Sequence, residues 1–75
     1  MIDQIINFKS VEEVQKFVNM AVSCPFDIDI GTDRNMIDAK SIMGVMSLGL
    51  NRPLRVSYEQ DDQAFDQMLD SLKIA

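Results

Sequence analysis

The spacing of apolar residues changes several times along the chain, and each change marks an element. Over residues 2–8, Ile2, Ile5, Ile6 and Phe8 are mixed with Asp3, Gln4 and Asn7, which reads as a strand with one irregularity at the adjacent Ile5 and Ile6. From Val11 the period lengthens. Val11, Val14, Phe17, Val18, Ala21 and Val22 recur at helical spacing and predict one buried helix face. Ser10-Val11-Glu12-Glu13 opens this helix as a capping box, with Ser10 at the N-cap and Glu13 in position to reach back. Valine is a poor helix former, so packing of that face must hold the helix. It ends by Cys24-Pro25, because proline disfavours helical geometry in the residue before it.

Strict alternation then returns. Phe26, Ile28 and Ile30 are separated by Asp27 and Asp29, predicting a strand over 26–30 with one solvated face. Turn residues fill 31–35, and 36–38 return as a short antiparallel strand. A loop at 51–53 precedes a strand over 54–58, where Arg55 is placed to pair with Asp27 or Asp29 across the sheet. Asp61 or Asp62 caps a last helix whose stripe is Phe65, Met68, Leu69 and Leu72. The predicted order is β-α-β-β-α-β-α. Polar residues on one strand face place all helices on the other, which is a two-layer α+β sandwich.

The stretch from Ala39 to Leu50 is the least ordinary. Ser41 stands where a short helix begins, and Gly49 stands where a left-handed cap ends one. Between them, Ile42, Met43, Val45, Met46 and Leu48 are too many for one buried stripe of so short a helix. The remainder is expected at the surface, as an apolar docking patch of Ile42, Met43, Met46 and Leu48 beside a modifiable serine. Core filling by Met43 and Met46, and simple capping by Ser41, stay open as the alternative.

Composition narrows the chemistry. Seventy-five residues allow one small domain, 1–75, with little room for a deep cavity. The net charge of −5 argues against binding nucleic acid or anionic membrane surfaces. Neither a membrane-length apolar run nor a signal segment opens the chain, so a cytoplasmic location is expected. Cys24, the only cysteine, forms no internal disulfide, and with no basic neighbour in sequence it reads as a small packed residue. Histidine is absent altogether. That removes Ser-His-Asp and Cys-His catalysis, histidine metal sites and phosphohistidine chemistry. No cofactor, metal or enzymatic constellation is visible.

The run Lys40-Ser41-Ile42-Met43-Gly44-Val45-Met46-Ser47-Leu48-Gly49 resembles the regulatory-serine segment of HPr, the phosphocarrier family of the bacterial sugar phosphotransferase system. The resemblance implies an open-faced, four-stranded antiparallel sheet with three helices on one face, agreeing with the pattern. It also implies that Ser41 is phosphorylated by HPr kinase/phosphorylase, with Lys40 beside the phosphate. Partners would then be a transcriptional regulator or phosphotransferase components. A phosphate at a helix start meets free N–H groups and the favourable end of the dipole.

The carrier site departs from the family. HPr holds phosphate on a histidine in a loop of the type Gly-x-His-Ala-Arg-Pro. The corresponding stretch here is Asn7-Phe8-Lys9-Ser10-Val11-Glu12-Glu13. Counting back from Ser41 puts Ser10 at the position of the missing histidine and Glu12 at that of the arginine. A serine ester does not transfer phosphate as a phosphoramidate does, and carboxylates repel what an arginine clamps. Two functions therefore remain: a regulatory adaptor switched at Ser41, or an unmodified interaction module that keeps the fold.

Overall fold

In the computed structural model, which describes residues 1–73, the elements follow the predicted order: β1 (Ile2–Asn7), α1 (Val11–Ser23), β2 (Ile28–Thr32), β3 (Asn35–Asp38), α2 (Ile42–Ser47), β4 (Pro53–Tyr58) and α3 (Gln63–Leu72). The strands form one antiparallel sheet in the order β1-β4-β2-β3. α1 packs against α2 and α3, α3 against β1, and α2 against β3, so the helices cover one face of the sheet.

Register decides which side chains meet that layer. Leu54, Val56 and Tyr58 of β4 point into the core with Ile28 and Ile30 of β2 and Ile6 of β1. On the other face, Ser57 stands opposite both Asp3 and Asp29, and Asp29 opposite Asp38. The adjacent Ile5 and Ile6 are thus resolved by the pleat: Ile6 is buried and Ile5 exposed. Aromatic rings join the layers, with centroids 5.4 Å apart for Phe8–Phe17, 6.0 Å for Phe17–Phe65 and 5.1 Å for Tyr58–Phe65. Tyr58 is fully buried and its hydroxyl donates to Asp66 Oδ1 at 2.5 Å. Burial, followed by that bond, pushes its pKa up to about 12.

Several expectations are corrected. The second strand runs over Ile28–Thr32, not 26–30. Its ladder with β4 starts at Ile28, opposite the last residue of β4, which leaves Phe26 and Asp27 unpaired. At the other end it extends through Gly31, where a Cβ would come within 2.0 Å of the Asn35 carbonyl oxygen. Only glycine permits that approach, so the hairpin tightens to a turn at Asp33 and Arg34. Arg55 faces Gly31 rather than a carboxylate, and its Nη1 instead reaches Asp33 Oδ1 at 3.0 Å. On α1, Val14, Phe17, Val18 and Ala21 are buried, whereas Val11 and Val22 are exposed. At about 100° per residue, these two fall on the same flank of a stripe narrower than the spacing implied.

Candidate functional site

The entry to α2 is fixed before the helix starts. The Ala39 N–H donates to the Ile28 carbonyl at 2.9 Å and its methyl is fully buried, pinning the loop to β2. Asp38 Oδ1 accepts from the Lys40 N–H at 2.9 Å, turning the chain outward. Ser41 then sits at the N-cap in extended geometry, exposed, its Oγ accepting from the Gly44 N–H at 3.3 Å. The same cap recurs elsewhere. Ser10 accepts from Glu13 at 3.2 Å, and Asp62 accepts from Phe65 at 2.9 Å, which selects Asp62 over Asp61. The reciprocal half of the first box is displaced by one residue: Glu13 Oε1 accepts from the Lys9 N–H at 2.7 Å.

Lys40 has its own role. Its Nζ donates to the Cys24 carbonyl at 2.9 Å, satisfying an orphan acceptor at the end of α1 and tying that end to the start of α2. Cys24 itself is buried, which pushes its thiol pKa up, with Asp62 adding to the shift and Lys40 opposing it. A thiol held protonated in this way is a packed side chain and not a nucleophile.

α2 divides into two stripes. Val45 and Leu48 turn into the core, at 0% and 8% exposure, while Met43 is 82% exposed and Ile42 and Met46 are each 41% exposed. The helical period explains this: about 100° per residue brings positions 42, 43 and 46 onto one side and 45 and 48 onto the other. Leu48 is therefore removed from the expected docking patch. It is an anchor of the helix, buried together with Val45.

The end of α2 completes the surface. Gly49, at φ +87°, ends the helix in the left-handed region. Arg52 Nη1 donates to the Leu48 carbonyl at 3.4 Å, and Asn51, at φ 59°, donates its N–H to the Phe8 carbonyl at 2.7 Å. That bond holds the loop before α1, and so Lys9 and Ser10, beside the exit of α2. Leu50, 39% exposed, adds a fourth apolar side chain after the turn. Nothing in the local pattern selects it, because a residue just past a left-handed cap commonly packs back on its own helix. The Asn51–Phe8 bond had no signal in the sequence either, being backbone to backbone.

Around this surface the chemistry is sparse. Among the described residues no group of three or more His, Cys, Asp or Glu is placed to hold a metal ion. None of the described helices is long and apolar enough to cross a membrane. A helix layer on one side of an open antiparallel sheet, with a serine-capped apolar turn between β3 and β4, is the architecture of the HPr-type carriers.

The comparisons with known proteins give the same class. The family model PTS-HPr, the HPr component phosphorylation site of the phosphotransferase system, matches residues 12–74. The chain belongs to this phosphocarrier family. Its fold is shared with HPr-C-His from Thermoanaerobacter tengcongensis, at 29% identity and a TM-score of 0.75, over 95% of this chain and 93% of that one. The phosphocarrier protein HPr from Bacillus anthracis is similar at 25% identity and a TM-score of 0.74, over 96% of each chain. Crh from Bacillus subtilis, a catabolite repression protein that forms a domain-swapped dimer, shares the fold at 19% identity and a TM-score of 0.65, over 93% of this chain and 88% of that one. No curated protein matches the chain. Proteins of this family act as carriers or regulators rather than enzymes and interact with other components of the phosphotransferase system.

Proposed function

We propose that this chain is a regulatory adaptor of the HPr family, phosphorylated at Ser41 and read by a protein partner through the apolar turn that follows. The observation that carries this reading is the division of α2. A capping serine with an exposed side chain lies next to Ile42, Met43 and Met46, which face solvent although the core beneath them is filled. Exposed apolar side chains gathered on one helix face suit a protein interaction site. A phosphoryl group on Ser41 adds about two negative charges and three acceptor oxygens at the rim of that surface.

The carrier function is absent in this reading. The chain contains no histidine, and the Ser10 hydroxyl is already used as a helix cap with Glu12 and Glu13 in the same turn. An unmodified interaction module is the second reading. It is favoured by Lys40, whose ammonium is directed to the Cys24 carbonyl rather than toward Ser41.

Phosphate transfer from ATP by HPr kinase/phosphorylase tests the surface. The native chain is expected to be a substrate, and Met46→Asp to lose most of the rate while keeping its circular dichroism spectrum. A Met46→Asp chain that stays folded and is phosphorylated at the native rate would remove the docking surface from the proposal.

A further inference from the structure

Beyond its phosphorylation, the same turn carries a second reactive group. We infer that Met43 is an oxidation-sensitive switch, its thioether taking up oxygen from a peroxide and turning the docking surface polar. This rests on the adaptor reading for its consequence, though not for its chemistry.

The six methionines of the chain are placed very differently. Met20, Met36 and Met68 are half-buried, and Met20 and Met68 pack against the core. The Met20 sulfur also lies 3.8 Å from the Ser23 hydroxyl, which donates to the Met20 carbonyl at 2.7 Å. Met46 is 41% exposed, and only Met43 and the first residue, Met1, reach 82%. Of those two, Met43 alone stands on an ordered helix and on the apolar patch. Its side chain lies outside the buried core, so changing its polarity leaves the fold intact. Oxidation of a methionine packed against the core would be coupled to unfolding. Met43 separates the two.

The step balances with hydrogen peroxide as the oxidant. The sulfur donates an electron pair to one peroxide oxygen, the O–O bond breaks, an S–O bond forms and water leaves. Sulfur is oxidised by two electrons and the peroxide reduced by two. A flexible apolar side chain becomes a polar, chiral sulfoxide, and methionine sulfoxide reductases restore the thioether. Recognition by the partner that reads the phosphorylated chain then requires two conditions within one turn: a phosphate on Ser41 and a reduced Met43.

The test exposes the folded chain to dilute hydrogen peroxide and maps sulfoxides by peptide mass spectrometry over time. Met43 is expected to oxidise about tenfold faster than Met20, Met36 or Met68, in line with its access to solvent. The Met43 sulfoxide is expected to elute earlier from a hydrophobic-interaction column and to be phosphorylated about tenfold more slowly by HPr kinase/phosphorylase. Met43→Leu, apolar and inert to peroxide, should keep both properties after treatment, and Met43→Gln should imitate the oxidised chain without it. Equal oxidation rates at all methionines, or a Met43 sulfoxide with unchanged retention, would overturn the switch. Unchanged phosphorylation of the sulfoxide would also overturn it. A reduced chain that takes no phosphate at all refutes the Ser41 reading instead, and the oxidation rates and column retention then decide the switch alone.

Discussion

Replacing Leu48 and Met43 in turn separates the two stripes of α2. The side chains are similar in size and five residues apart, yet Leu48 is 8% exposed and Met43 82%. Leu48→Ala removes buried apolar surface and leaves a void beside Val45. Buried Leu→Ala changes cost about 2–5 kcal/mol, and a site at the margin of the core belongs at the lower end, about 2–3 kcal/mol. Met43→Ala removes a side chain that is already in water, so its effect stays within about 0.5 kcal/mol. For a chain of this length the total stability is about 4–11 kcal/mol, so the first change consumes a large share of it. Urea unfolding followed by circular dichroism resolves the difference. With a slope of about 1 kcal/mol per molar urea, Leu48→Ala lowers the midpoint by about 2–3 M and Met43→Ala leaves it nearly unmoved. A loss of 2 M or more for Met43→Ala would show that it is core. The exposed docking surface would then be refuted.

Other outcomes follow from the same geometry. Ser41→Ala deletes an exposed cap and should cost about 0.5–1 kcal/mol by the same urea assay, with Ser41→Asn recovering most of it. Tyr58 is neutral in the folded state up to about pH 12, whereas in the unfolded chain it ionises near the ordinary tyrosine value of about 10. The unfolded state therefore binds fewer protons between those values, and stability falls with rising pH by about 1.4 kcal/mol per unit. Tyr58→Phe should remove that slope, and absorbance of the single tyrosine reports its titration directly. Incubation with phosphoenolpyruvate and enzyme I should leave the native chain unmodified. Ser10→His alone should remain a poor acceptor, because Glu12 and Glu13 stay in the first turn; only joint replacement of Ser10 by His and Glu12 by Arg is expected to show phosphohistidine by mass.

Elements whose signals lie within a few residues were legible in the sequence. Ser10, Ser41 and Asp62 are all caps in the structure, and Gly49 has its left-handed geometry. What failed depended on partners distant in the chain. The strand at Ile28 shifts because β4 sets where its ladder begins, and Arg55 meets Asp33 because register puts Gly31 opposite it. Val11 and Val22 read as core because spacing alone does not reveal how wide the contact with the sheet is. For the site, the presence of both buried and exposed apolar residues in α2 was readable from their number. The assignment of Leu48 to the buried side was not, since it depends on how α2 is rotated upon β3 and α1. The engagement of Lys40 by Cys24, sixteen residues away, was equally out of reach.

The central claim is that Ser41 is a regulated hydroxyl and not only a cap. Incubating the folded chain with HPr kinase/phosphorylase and ATP, followed by intact-mass measurement, tests it most directly. Ser41→Asn serves as the control because it keeps the cap and removes the hydroxyl. One phosphoryl group on the native chain and none on the variant is the predicted result. A native chain that stays folded and gains no phosphate, or a variant that gains it equally, would contradict the account.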